Sequence, residues 1–228
     1  MAKSKSQKTP EQIYQLKIVL VDAPLPIWRR IVIGAEMPLE LVHEIFQIVM
    51  GWTNSHLHSF KLGERVITDS NTASDQEIAK GLKYEDESEY LLSDLLKAPG
   101  DYLTYEYDWG DCWKHEVLLE DIKTPEQDSL FLARCIAGKR ACPPEDVGGV
   151  PGYLRFVNAI EDPLNEEHED MLNWIGCNFD PDSFDARHVN WRIFDMEEEV
   201  LQSFAELLAD KKQKNKPRKK KTSLTVVK

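Results

Sequence analysis

Two stretches of the chain alternate apolar and polar side chains twice over, and each time a short turn-forming insert separates the two runs. Residues 13–21 set Tyr14, Leu16, Ile18 and Leu20 on one face, the period of two that marks a half-buried strand. Asp22-Ala23-Pro24-Leu25-Pro26 follows. Residues 27–33 then alternate again, with Ile27, Arg29, Ile31 and Ile33 opposite Trp28, Arg30 and Val32. Residues 102–108 and 112–119 repeat the pattern around Trp109-Gly110. Proline cannot donate to a strand ladder, so prolines confined to the connection predict a β-hairpin in the first case. The tight Trp109-Gly110 turn predicts one in the second. Two such hairpins call for an antiparallel sheet with one face to bury.

Helices are expected to cover that face. Pro38 suits a first helical turn, and Leu41, Val42, Ile45, Phe46, Ile48 and Val49 form a broad apolar surface ending at Gly51. Residues 56–61 and 64–67 read as short strands around Gly63. Residues 68–90 read as an exposed acidic loop, and Leu91 to Leu96 as a short helix. A further strand is expected through Leu130 to Ile136. A helix then starts near Pro151 and carries Tyr153, Phe156, Val157 and Ile160, another covers 164–175, and 185–209 is helical with a break near Phe194-Asp195. The fold class is α+β: a single domain with an antiparallel sheet built from hairpins, and helices mainly in the C-terminal half. Its boundaries are 12–209, between a disordered N-terminus (1–11) and a basic disordered tail (210–228).

Charge limits the partners. The net charge of −12 is unevenly spread: residues 210–228 carry +8 and residues 1–12 carry +2, which leaves −22 on residues 13–209. An acidic body has no cationic surface to offer a phosphate backbone, so nucleic acid could be engaged only through residues 211–228. The first apolar run is interrupted by Gln15 and Lys17, and no stretch has the length of a membrane span, which predicts a cytoplasmic protein. Cys112, Cys135, Cys142 and Cys177 lack the CxxC spacing of a structural zinc site and read as reduced thiols. Cys135 and Cys142 could meet across a hairpin.

Three segments carry the side chains that could do chemistry. In Tyr107-Asp108-Trp109-Gly110-Asp111-Cys112-Trp113-Lys114-His115 two carboxylates flank a turn, and alternation would put Asp111, Trp113 and His115 on one face. Such a set could ligate a divalent metal or act as an acid/base pair, although aspartates at hairpin ends also accept backbone N–H bonds. Arg140-Ala141-Cys142-Pro143-Pro144-Glu145-Asp146-Val147-Gly148-Gly149 is a stiff loop presenting carboxylates, with no nucleotide-binding glycine pattern. Equally it could be structural, with Arg140 paired to an aspartate. In Trp52-Thr53-Asn54-Ser55-His56-Leu57-His58, His56 and His58 would point the same way on a strand, as paired imidazole ligands do.

At these segments the sequence resembles the plasmid pRiA4b ORF-3-like family. The matching stretches are Pro26-Ile27-Trp28-Arg29, Gly51-Trp52 with His56-Leu57-His58-Ser59-Phe60, the whole of 107–115, and 140–149 with Gly152-Tyr153. Phe184-Asp185 with Asn190 completes the set. The resemblance spans about residues 12–195. It implies an α+β domain of uncharacterised function, found in prokaryotes and sometimes near mobile elements. The label of transposon resolvase that some relatives carry finds no support in the residues. A serine recombinase would need an N-terminal catalytic serine in an arginine-rich site, but the only early serines are Ser4 and Ser6 in a polar end; a tyrosine recombinase would need a C-terminal tyrosine, but the last is Tyr153.

The leading expectation is a binding module that recognises a small ligand or protein partner. Its candidate residues are Trp28, His56, His58, Asp108, Trp109, Asp111, Trp113, His115, Arg140, Glu145, Asp146 and Tyr153, a mixture of aromatic and charged groups typical of pockets. The alternative is a metal-dependent hydrolase or nuclease, with a divalent metal held by Asp108, Asp111, His115, Glu145 and Asp146, and His56 or His58 as further ligands.

Overall fold

The structure, a computed structural model, describes residues 12–70, 84–125, 132–176 and 178–197. Both expected hairpins are present. Strands β1 (Ile13–Leu20) and β2 (Trp28–Gly34) pair antiparallel, with Ile18 opposite Arg29. The second hairpin follows later in the chain. After helix α1 (Leu39–Met50) come β3 (His58–Leu62) and β4 (Arg65–Thr68), then β5 (Tyr84–Asp86), a 3-10 turn (Glu87–Glu89) and the short helix α2 (Leu92–Leu95). Strands β6 (Tyr102–Tyr107) and β7 (Trp113–Lys123) follow, then β8 (Ala133–Lys139) and helices α3 (Gly149–Glu161) and α4 (His168–Ile175). Residues 186–197 are helical, Phe194 and Asp195 included. The chain divides into Met1–Ile193 and Phe194–Lys228, and of the second unit residues 194–197 are described.

One eight-stranded sheet runs in the order β5-β4-β3-β6-β7-β1-β2-β8. Its pairs are antiparallel except β4 with β5. The fold is therefore α+β, as the alternating hairpins require. Period two decides which face is buried: Tyr14, Leu16, Ile18 and Leu20 from β1 join Ile31 and Ile33, Leu103, Tyr105 and Tyr107, and Trp113, Val117 and Leu119. Helix α1 covers this face. Its Phe46 ring meets Tyr105 edge-on at 5.1 Å, and Leu39, Val42, Ile45, Phe46 and Val49 are buried. Burying a side chain of this size stabilises the fold by roughly 1.5–3 kcal/mol. Pro38 stands at the N-cap, and Gly51 ends the helix at φ +109°, a backbone region that favours glycine.

Arg29 lies on the buried face among these apolar groups. Its Nε donates to the Val49 carbonyl at 2.7 Å, Nη1 donates to the Lys139 carbonyl at 3.0 Å, and the Phe184 ring lies over its guanidinium at 4.5 Å. Burial holds the Arg29 pKa below its ordinary value. The outer face carries Trp28, under the Lys17 and Arg30 cations, and the two-pronged Arg30–Glu120 ion pair. At the open edge of the sheet, Asn190 accepts from the Cys135 N–H at 2.7 Å and donates to the Cys135 carbonyl at 2.8 Å.

Three expectations need correction. Residues 68–90 do not read throughout as an exposed loop: Tyr84–Asp86 pairs parallel to β4, held by the Arg65–Glu85 ion pair, and Glu87 is buried. The helix expected over 164–175 begins at His168, because the Asp162 and Asn165 side chains accept the N–H groups of Leu164 and Glu167 and keep that stretch a turn. The helix expected to start near Pro151 begins at Gly149. Pro151 is then its third residue, where a missing N–H breaks no helical bond. Residues 71–83, 126–131, 198–209, Cys177 and both charged tails lie outside the described residues. Cys112, Cys135 and Cys142 are free thiols, with burial pushing Cys135 up to about 11. Among the described residues no helix is long and apolar enough to cross a membrane.

Candidate metal centre

The end of α1, the β6–β7 turn and the 140–149 loop meet at one place, and Trp52 joins them. Its indole N–H donates to the Pro143 carbonyl at 3.0 Å, while its ring lies 4.8 Å from Tyr107, 6.1 Å from Trp113 and 5.2 Å from the edge-on His115 ring. Asp111 ties down the far side of the loop by accepting from the Gly148 N–H at 3.0 Å. Glycine is required next to it. A Cβ on Gly149 would stand 2.6 Å from the Asp111 carbonyl oxygen.

Within this frame His56, Asp108, Glu145 and Asp146 converge. His56 Nε2 lies 3.1 Å from Asp146 Oδ1, 3.7 Å from Glu145 Oε2 and 3.8 Å from Asp108 Oδ2. It is shielded from solvent yet makes no hydrogen bond. The donor atoms of His56, Asp108 and Asp146 all lie within 4.8 Å of one another. Ligands of one cation bound at about 2.1 Å sit roughly 3–4.2 Å apart, a range that contains the His56–Asp146 and His56–Asp108 separations of 3.1 Å and 3.8 Å. Asp108 is held by its own turn: Oδ1 accepts from the Gly110 N–H at 2.8 Å and from that of Asp111 at 3.3 Å, leaving Oδ2 toward His56. Glu145 Oε1 accepts from the Thr53 N–H at 2.8 Å and the Tyr107 hydroxyl at 3.1 Å. Burial, reinforced by the Glu145 charge, raises the Tyr107 pKa, so this hydroxyl stays a donor. Among the described residues six non-glycines have positive φ. Five of them, Asn54, Asp108, Cys112, Arg140 and Asp146, belong to the three converging segments.

The family model of the plasmid pRiA4b ORF-3-like proteins matches residues 12–188, a span that includes all three segments. The chain belongs to this family. An uncharacterised protein, y4hQ, of Sinorhizobium fredii (strain NBRC 101917 / NGR234) is similar, with 30% identity over 174 residues that cover 73% of this chain and 82% of that one. The crystal structure of a protein of unknown function, MM3350 from Methanosarcina mazei Go1, is similar at 33% identity with a TM-score of 0.67. It covers 78% of this chain and 98% of its own.

The remaining candidates of the pRiA4b ORF-3-like chain lie apart from the four converging groups. His115 is fully buried beside Trp113, with Nδ1 against the Tyr105 carbonyl at 3.2 Å, and burial pushes its pKa down to about 4. Strand β7 begins at Trp113, so Asp111 stays in the turn and shares no strand face with His115. His56 likewise precedes β3, and His58 turns to Glu87 at 2.7 Å. Trp109 stacks toward Tyr84, Arg140 pairs with Asp182 at 2.8 Å, Tyr153 is buried against Phe156, and Trp28 stands on the outer face of the sheet.

Sequence reasoning missed Tyr107, Thr53 and Asn54 as parts of the site. All three sit inside the two motif stretches that pointed to it. Tyr107 precedes Asp108 at the strand end, and period two placed it on the buried face.

Proposed function

We propose that this pRiA4b ORF-3-like domain is a binding module built around a divalent-cation centre, with His56, Asp108 and Asp146 as ligands and Glu145 alongside. The observation that carries the reading is the bare His56 Nε2, which is screened from water, has no hydrogen bond, and has three carboxylates within 3.8 Å. Imidazole with carboxylates and no thiolate suits Zn2+, Mn2+ or Fe2+ better than an ion that prefers all-oxygen sites. Asp146 is the exposed member, its side chain 73% accessible, so a small ligand or protein partner would reach the ion from that side. The free thiols of Cys112, Cys135 and Cys142 fit a reducing compartment such as the cytoplasm.

Calorimetric titration of the full chain with Zn2+ and with Mn2+ tests this. One equivalent should bind, His56→Ala and Asp108→Asn should abolish the binding, and His115→Gln should leave its stoichiometry intact. Absence of binding by the unaltered protein, or its survival in His56→Ala, would refute the centre.

A second reading, metal-dependent hydrolysis of esters or nucleic acid, has one observation in its favour. Glu145 is anchored through Oε1 while Oε2 stays 3.7 Å from His56 Nε2, a position from which a carboxylate could take a proton from water. Zn2+-dependent turnover of nitrophenyl esters or of DNA that is lost in Glu145→Gln would establish it. If turnover on DNA also vanished on removing residues 211–228, the basic tail would be the nucleic-acid contact.

A further inference from the structure

The segment that carries His56 is tied to helix α1 by a closed ring of hydrogen bonds whose direction can be derived. Glu44 Oε1, a carboxylate oxygen, accepts from Asn54 Nδ2 at 3.0 Å, so the Asn54 Oδ1 must face His43. At 2.7 Å from that oxygen, His43 Nε2 must be the donor. A neutral ring protonated at Nε2 has an accepting Nδ1, and the Tyr105 hydroxyl donates to it at 2.8 Å. The Tyr105 oxygen accepts from Gln47 Nε2 at 2.9 Å, and Gln47 Oε1 accepts from the Asn54 backbone N–H at 3.0 Å, which closes the ring. Each member has one orientation consistent with all the others. Burial, and then the stacked His58 ring, pushes the His43 pKa down to about 3, in agreement with a neutral imidazole.

Asn54 is at φ +57°, and its neighbours on both sides are held from the site: the Thr53 N–H by Glu145 and the Ser55 N–H by the Tyr107 hydroxyl at 2.9 Å. Three consecutive residues before His56 are therefore fixed, the middle one through its side chain to α1.

Resting on the reading of His56 as a ligand, we propose that Asn54 and His43 are positioning residues: the directed ring Asn54–His43–Tyr105–Gln47 sets the backbone that presents the His56 imidazole to the cation centre. Neither residue reaches the ligand atoms; they act through the chain between them and His56. The ring also explains why an asparagine stands at 54. Glycine would accept the positive φ equally well, but only a carboxamide both accepts from His43 and donates to Glu44.

The test is Asn54→Gly, which retains the backbone preference and removes only the carboxamide, read in the full chain by histidine-ring NMR without metal and by Zn2+ calorimetry. The unaltered protein should show His43 as the Nε2-protonated tautomer. Asn54→Gly should move the His56 ring signals, leave those of the distant His168 in place, and weaken Zn2+ binding by about tenfold or more, the usual effect of losing a group that orients a ligand. Tyr105→Phe, which breaks the ring at another point, should move the same His56 signals, and it stands in if Asn54→Gly does not fold. An Nδ1-protonated His43, or His56 signals unchanged in the folded variants, would overturn the inference. If the unaltered protein binds no Zn2+, the cation reading fails by itself, and the His56 ring signals still decide whether the ring positions that segment.

Discussion

The indole N–H of Trp52 and the carbonyl of Pro143, 91 residues apart in sequence, are joined by a buried 3.0 Å hydrogen bond. Trp52→Phe keeps much of the apolar contact with Tyr107 and Trp113 but leaves that carbonyl without its donor. The expected cost is about 1–3 kcal/mol, from an unsatisfied buried acceptor plus a small cavity. Urea denaturation should show a lower midpoint at unchanged slope, together with weaker Zn2+ binding, because Glu145 and Asp146 follow Pro143 with only Pro144 between.

Acid should destabilise the protein earlier than its carboxylates alone would. His43 and His115 are buried and neutral, with pKa values pushed down to about 3 and about 4 from an ordinary 6.5. The unfolded chain therefore binds protons that the folded chain refuses. Stability is full above about pH 6.5 and falls as the pH drops toward 4, by at most roughly 1.4 kcal/mol per pH unit for each ring. Thermal unfolding of the unaltered protein and of His115→Gln between pH 7 and pH 4.5 should show a shallower decline in the variant.

Gly138 has no room for a side chain. A Cβ there would fall 2.5 Å from the Phe184 ring, which also covers Arg29. Gly138→Ala should destabilise by about 1–3 kcal/mol through overpacking. Combining it with Phe184→Leu should cost less than the sum of the two single changes, and strict additivity in a double-mutant cycle would contradict the contact.

Glu87 gives His58 its buried partner at 2.7 Å. Glu87→Ala strands that imidazole nitrogen and should cost about 1–3 kcal/mol, whereas Glu87→Gln retains a hydrogen-bonding group and should cost less. Equal losses in chemical denaturation of the two variants would argue against the pairing.

The sheet was legible because β1, β2, β6 and β7 bury one face each, and burial on one face writes period two into the residues. The three-residue strand Tyr84–Asp86 has no period to read: it is held by the Arg65–Glu85 ion pair, and charges in a polar run look solvated until the partner is known. Glu87 escaped notice for the same reason. Of the site, the segments were legible and the geometry was not. His56 and His58 are two apart, but β3 begins only at His58, so the alternation that would have aligned them does not reach His56. His115 follows the period correctly, on a face that turns out to be core. What brings His56 to Asp146 is a set of contacts between residues some ninety positions apart, and no local pattern encodes those.

Strand β8 is the last of the sheet, and an outermost strand with idle N–H and C=O groups is where a second chain could dock and begin a fibre. The carboxamide of Asn190 occupies both groups of Cys135 on the open side, as a neighbouring strand would. One side chain, donated by a helix, thus imitates the next strand and withholds that rung from any intruder.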